Sequence, residues 1–259
     1  MPLYSEQQGS TSHPTLVFLH GFLGNRNDWQ STIEALKDDY HCVTIDLPGH
    51  GRSAGCVISL QDGFENCHQL IQFTLATLNI HSFTLIGYSL GGRIALDYAR
   101  TQQDKRLQHL VLESCHLGLD NEQEKIQRRQ FDLNWATHFA TNAIEESLMQ
   151  WYSQPIFDDL NDIQKQFIIE KRSHNYGVFL ANMLLSTSLA NQQCASHFLE
   201  KTDLPITYLY GEKDTKFAQV ASLFPTLNNI KIRCFNGLGH NTHQQDPINY
   251  ANTIKQLSN

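Results

Sequence analysis

The chain has no long apolar run. Leu16-Val17-Phe18-Leu19 falls far short of the ~20 residues that cross a bilayer, so no membrane span is expected. The polar stretch Met1 to Pro14 has no signal-peptide core, and a cytoplasmic location is the expectation. Six cysteines (42, 56, 67, 115, 194 and 234) are scattered without a C-x-x-C pair, which argues against a zinc knuckle and a disulfide framework. They read as buried free thiols. Thirteen histidines include no H-x-x-x-H or H-E-x-x-H spacing, so no metal is expected. Gly49-His50-Gly51 followed by Gly55 does not fit G-x-G-x-x-G, which removes a dinucleotide fingerprint. Basic residues number 19 against 26 acidic, a formal charge of -7 with no basic run, and nucleic acid is excluded as a partner. No internal repeat or low-complexity tract is visible, and nothing points to an obligate protein partner.

What is present is a core-forming composition, 41% hydrophobic over 259 residues, enough for one or two domains. One stretch organises it. Phe83-Thr84-Leu85-Ile86 has the length of a buried parallel strand, Gly87-Tyr88-Ser89-Leu90-Gly91 is a G-x-S-x-G turn, and Arg93 to Tyr98 is helix-like. Strand, G-x-S-x-G, helix is the context of a nucleophile elbow, in which flanking glycines let the turn close and leave the serine hydroxyl exposed. The serine then sits at a helix N-terminus, where free amides favour developing negative charge. Its structural counterpart is a glycine-rich turn with a bystander serine.

Strands are also expected at Thr15 to His20, His41 to Asp46, Leu107 to Leu112, Pro205 to Tyr210 and Ile230 to Phe235. Helices are expected at Trp29 to Leu36, Phe64 to Leu78 and Pro247 to Leu257. This alternation predicts an α/β-hydrolase fold, a mostly parallel, doubly wound sheet. Residues 119–201 interrupt it: glycine nearly vanishes, and apolar residues recur at three- and four-residue spacing. The expectation is a core formed by 1–118 and 202–259, with 119–201 inserted as a helical cap over the serine.

A serine hydroxyl needs a histidine base, and that histidine needs a carboxylate to fix its tautomer. In this fold the chain order is Ser, Asp or Glu, His. Asp214 follows a late strand and His240 ends the turn after the last one, so the expected triad is Ser89, Asp214 and His240. Glu113, at another strand end, is the competing acid; Glu212 reads as a solvated loop charge and His243 as a less natural base. His20-Gly21-Phe22-Leu23-Gly24 corresponds to the loop after the third strand of this fold, making the amides of Phe22 and Leu90 the expected oxyanion hole. His20 reads as a structural histidine shaping that loop. Arg93, four residues beyond the serine, shares its helix face and suits a carboxylate or phosphate; capping a neighbouring loop is its structural alternative. Arg128 (or Arg129), Arg172 and the Trp151-Tyr152 pair are further candidates in the cap, each with an ordinary surface or packing role as its alternative.

Several stretches resemble the SHCHC synthase family of menaquinone biosynthesis. They are Gly87 to Arg93, Val17 to Phe22, Asp46 to Gly51, Trp151-Tyr152-Ser153-Gln154-Pro155-Ile156-Phe157, Gly211 to Phe217 and Gly239 to His243. Arg93, the Trp151 segment and Asp214-x-Lys216-Phe217 are the specific ones; the Val17 and Asp46 stretches are common in the fold. The resemblance implies a lyase that removes pyruvate from 2-succinyl-5-enolpyruvyl-6-hydroxy-3-cyclohexene-1-carboxylate without metal or organic cofactor. It further implies that Arg93, Arg128 and Arg172 hold the carboxylates of this small tricarboxylate, with Tyr88 and Trp151 lining the site. Two alternatives use the same residues: an esterase or thioesterase acting on a small anionic substrate, and a non-enzymatic ligand receptor.

Overall fold

The apolar runs become strands because both of their faces find cover. The computed structural model describes residues 1–224 and 228–257. Among these, β1 (Ser5–Gln8), β2 (Thr15–Leu19), β3 (His41–Ile45), β4 (Phe83–Tyr88), β5 (Leu107–Glu113), β6 (Ile206–Gly211) and β7 (Ile230–Phe235) form one sheet in the order β1-β3-β2-β4-β5-β6-β7. All neighbouring pairs are parallel except β1 with β3. Val17 and Leu19 of β2 join the apolar cluster on one face, while Leu16 and Phe18 join the cluster on the other. That period of two with no polar face is the mark of a strand covered on both sides.

The first face is covered by α2 (Gly63–Thr77) and α3 (Leu90–Gln102), the second by α1 (Gln30–Glu34) and α11 (Pro247–Lys255). Helix α3 is the central one: every residue from Leu90 to Ala99 is buried. Two short helices, α9 (Thr215–Ala221) and α10 (Thr242–Gln245), follow β6 and β7. The strand β4 stands in the middle of the sheet, so the turn that leaves it opens at the centre of the carboxyl edge.

Between β5 and β6 run α4 (Glu122–Thr141), α5 (Ile144–Trp151), α6 (Asp162–Arg172), α7 (Gly177–Ser186) and α8 (Ser196–Lys201). Asn121 caps α4 and a capping box at Asn161 starts α6. Helices α4, α5 and α7 pack around a third apolar cluster containing Phe139, Leu148, Leu180 and Leu184. Leu23, from the loop after β2, completes that cluster and ties it to the sheet edge. The glycine that survives in this stretch has a reason: a Cβ on Gly177 would lie 1.9 Å from the carbonyl oxygen of Phe139, where α4 and α7 meet.

One strand was not foreseen and one expectation needs correction. The loop bearing Phe22 follows β2, and the unforeseen strand, β1, precedes β2. That strand carries Ser-Glu-Gln-Gln, with no apolar signal, and forms by antiparallel pairing along the edge of β3. The cysteines are free but not all buried: Cys42, Cys67 and Cys115 are, Cys56 and Cys194 are partly exposed, and Cys234 is exposed on the edge strand β7.

Candidate active site

The elbow is a strained turn held by its neighbours. Ser89 takes φ 50° and ψ −107°, a left-handed backbone that typically costs ~1–3 kcal/mol outside glycine. A Cβ on Gly87 would lie 2.5 Å from the carbonyl oxygen of Gly91, and one on Gly91 would lie 2.4 Å from that of Leu19. Neither position can carry a side chain, which is why the motif needs both glycines. The Ser89 amide donates to the Glu113 carbonyl at 2.9 Å, pinning the turn to β5. Leu90 opens α3, so its amide has no intrahelical acceptor.

Phe22 and Leu90 both line the cavity that contains Ser89. Two buried histidines hold the Phe22 loop. His20 donates from Nδ1 to the Gly21 carbonyl (2.8 Å) and accepts at Nε2 from the Leu47 amide (3.0 Å). His50 donates from Nδ1 to the Pro48 carbonyl (2.8 Å) and accepts at Nε2 from the Leu23 amide (3.1 Å), where Leu23 itself takes φ 66°. Each ring uses both nitrogens on backbone, so each is neutral with its tautomer fixed. Burial pushes His20 down to about 4 and His50 down to about 3. His20 is therefore a scaffold residue, as its sequence context suggests. His50 is a second one that sequence reading passed over.

His240 donates from Nδ1 to Asp214 Oδ2 at 2.6 Å, and both side chains are buried. Asp214 also caps α9 by accepting the Phe217 amide on Oδ1 at 3.3 Å. The Phe217 ring stacks on the imidazole with centroids 5.0 Å apart, and Tyr88 packs against it at 5.2 Å. The Asp214-x-Lys216-Phe217 segment thus supplies a carboxylate and a ring to the same histidine. Glu113, the competing acid, bonds His243 instead, at 2.7 Å and away from the cavity.

Ser89 and His240 face a cavity of about 1210 Å³ between the sheet edge and the inserted helices. Its wall carries five cationic residues: Arg93, Arg128, Arg172, Lys213 and Lys216. Arg93 is buried and donates from Nη1 to the Thr187 carbonyl at the end of α7 (2.8 Å), so it caps a neighbouring loop while facing the cavity. Burial lowers its guanidinium to about 10, helped by Arg128 nearby, and it stays charged at neutral pH. Arg128 binds both oxygens of Asp132 through Nε, each at 2.9 Å. Arg129 is exposed and absent from the cavity wall, so the helix phase selects Arg128.

Arg172 is buried and donates from Nη2 to Asp28 at 2.6 Å, with Lys171 on the other oxygen of Asp28 at 3.2 Å. Its Nε and Nη1 are buried without an acceptor among the described residues. With the Tyr152 hydroxyl as a further neighbour of this permanently charged fork, donor capacity remains for an anion. Trp151 lines the cavity and packs against Phe22 (5.1 Å), Trp135 (4.9 Å) and Phe139 (5.7 Å). Tyr88 lines it from the elbow side. Lys216, to which the sequence assigns no role, is exposed at the cavity wall, where partial desolvation and then Arg128 lower its ammonium. Among the described residues no group of three or more His, Cys, Asp or Glu could hold a metal ion.

A serine on a strained strand–helix turn and a carboxylate-bonded histidine, lining one cavity, define the class as an enzyme of the α/β-hydrolase fold; that family's model matches residues 14–246. Within it, the chain is 39% identical to the 2-succinyl-6-hydroxy-2,4-cyclohexadiene-1-carboxylate synthase of Klebsiella pneumoniae, over 96% of this chain and 95% of that one. The Escherichia coli O17:K52:H18 protein of that name is also 39% identical, over 97% of this chain and 96% of that one. MenH from S. aureus superposes with a TM-score of 0.88 at 29% identity, covering 99% of both chains. The chain belongs to the 2-succinyl-6-hydroxy-2,4-cyclohexadiene-1-carboxylate synthase family. An esterase from Thermogutta terrifontis shares the fold alone, at 20% identity and a TM-score of 0.79 over 99% of this chain and 92% of that one.

Proposed function

We propose that this chain eliminates pyruvate from 2-succinyl-5-enolpyruvyl-6-hydroxy-3-cyclohexene-1-carboxylate, giving 2-succinyl-6-hydroxy-2,4-cyclohexadiene-1-carboxylate for menaquinone biosynthesis. One observation carries the reading: a serine, a histidine and five cationic residues line one cavity in a net-acidic protein. An ester hydrolase acting on a neutral substrate needs the serine and histidine and has no use for the cationic residues. A substrate with three carboxylates needs both. In this reading 119–201 acts as a cap on the core formed by 1–118 and 202–259. The six free cysteines are in keeping with a cytoplasmic location.

The chemistry follows from the geometry. Because His240 gives its Nδ1–H to Asp214, its Nε2 is a bare acceptor for the Ser89 hydroxyl proton. The activated serine oxygen removes the ring proton alpha to the succinyl ketone. The enolate oxygen rests on the amides of Phe22 and Leu90, as a tetrahedral oxyanion would in an esterase. Its electrons move through the ring double bond, break the bond to the enolpyruvyl oxygen and leave the conjugated diene. The proton held on His240 returns to the departing enolate, which ketonises to pyruvate. Atoms balance without water, metal or acyl-enzyme. Arg93, Arg128 and Arg172 hold the carboxylates, and Tyr88 and Trp151 shape the walls.

The test supplies the enolpyruvyl substrate to purified wild-type protein and follows pyruvate and the diene absorbance together. Both products should rise at equal rates. Cleavage of small aryl esters through Ser89, with neither product appearing, would replace this reading by an esterase.

A further inference from the structure

Among the described residues two imidazoles are hydrogen-bonded to a carboxylate, His240 to Asp214 and His243 to Glu113, and the second has no part in the chemistry above. His240 sits in the loop between β7 and α10, and β7 is an edge strand with four of its six residues exposed. Nothing in such a strand fixes a side chain to within the fraction of an ångström that proton transfer requires. Beside the Asp214 bond and the Phe217 ring, a further constraint comes from β5. Glu113, fully buried, accepts three donors on Oε1: the Thr242 amide at 2.7 Å, the Thr242 hydroxyl at 2.8 Å and the His243 amide at 3.2 Å. Its Oε2 accepts His243 Nδ1–H at 2.7 Å. The carbonyl of the same residue accepts the Ser89 amide at 2.9 Å.

One residue thus grips the serine turn by its backbone and the segment two residues beyond His240 by its side chain. The His243 ring is clamped in turn, stacked on Trp29 with centroids 3.8 Å apart and edge-on to Tyr88 at 5.0 Å. Its carbonyl accepts the Thr32 hydroxyl at 3.2 Å. Tyr88 touches both His243 and His240, so the clamp reaches the base through one ring. We propose that Glu113 is a positioning residue that sets His240 against Ser89, through the Thr242–His243 segment.

This inference rests on Ser89 and His240 being the reactive pair, and it is independent of which substrate they act on. The test is Glu113→Gln, which keeps the shape and one acceptor and loses the charge. Thr242→Val, which removes a single hydroxyl bond, serves if that variant does not fold. Two readouts are taken on folded protein: kcat and KM for pyruvate release, and the far-downfield proton resonance of His240 Nδ1–H. Glu113→Gln should lower kcat roughly 10- to 100-fold at unchanged KM and shift or broaden that resonance; Thr242→Val should do the same to a smaller degree. A folded variant with wild-type kcat, or one that loses kcat while the His240 resonance stays put, would overturn the proposal. Wild-type protein that releases no pyruvate counts against the substrate, while the resonance still reports on Glu113.

Discussion

The two walls of the cavity are built by different forces. On the sheet side, positions are set by backbone: Ser89 and Leu23 hold positive φ, Gly87 and Gly91 leave no room for a side chain, and His20 and His50 bond main-chain groups with both ring nitrogens. On the cap side, positions are set by ion pairs and rings: Arg172 with Asp28, Arg128 with Asp132, and Trp151 among Phe22, Trp135 and Phe139. Arg93 also joins the two, rising from α3 and bonding the end of α7. Groups that move protons need fixed distances, and a strained backbone turn supplies them. Groups that hold carboxylates need charge, and ion pairs can adapt as substrate arrives.

The sharpest way to break this contrast is to remove one group from each wall. Ser89→Ala should lower kcat by roughly 10²- to 10⁴-fold with little change in KM, since the hydroxyl makes the proton transfer and little of the binding. Arg93→Ala should act mainly on KM. A charge-assisted hydrogen bond is typically worth about 1.5–3 kcal/mol, or about 10- to 100-fold in kcat/KM. Steady-state kinetics of pyruvate release separates the two. An Arg93→Ala enzyme that loses kcat at unchanged KM would assign the guanidinium to the transition state and erase the division of labour.

Acid should attack the walls in sequence. An unfolded histidine takes its proton near 6.5, whereas folded His20 resists until about 4 and His50 until about 3. Between those values the unfolded chain binds more protons than the folded one, so stability rises with pH there. The contribution is complete above 6.5 and is lost as pH falls toward 4, by roughly 2 kcal/mol per histidine at pH 5. On the cap side the sign is that of a paired carboxylate. Burial opposes ionisation of Asp28, but Arg172 outweighs it and holds the carboxyl well below the usual carboxylate range. That stability survives until the pH falls below the ordinary Asp value. Urea unfolding from pH 7 to 4 should therefore lose stability first through the histidines, and His50→Asn should flatten the slope. Equal stability at pH 7 and pH 5 would mean that both rings titrate normally and that the loop is held some other way.

Much of the sheet side was legible in sequence because its signals are local. G-x-S-x-G, the strand before it and the order Ser, Asp, His needed no knowledge of packing. The cap side was less so, because its partners are distant: Arg172 meets Asp28 across 144 residues. Even there one signal was present. Asp132 follows Arg128 by four residues, the spacing of a helical ion pair, while position 133 is Leu. Asp132 also lies three residues beyond Arg129, so the spacing marks an ion pair on this helix and the structure selects Arg128. The strand β1 carried no such cue, since its polar residues owe their conformation to β3. Glu113 was visible as a strand-end carboxylate, but its role depended on β5 lying beside β4 and below α10, which only topology supplies.

The smallest effect is also the finest probe of the cap wall. Arg128 is part-buried against Asp132, which in turn accepts the Ser188 hydroxyl at 2.6 Å, whereas Arg129 points to solvent. A charge that keeps some contact with water is screened, so Arg128→Ala should raise KM by about tenfold or less and by less again at high salt. Arg129→Ala should stay within about twofold at any ionic strength, as surface substitutions do. Buried Arg93 is shielded from added salt, so its effect should hold constant across the same series. If Arg129→Ala matched Arg128→Ala, the helix phase of α4 would differ with substrate bound, and the cap wall would be the part of this site that moves.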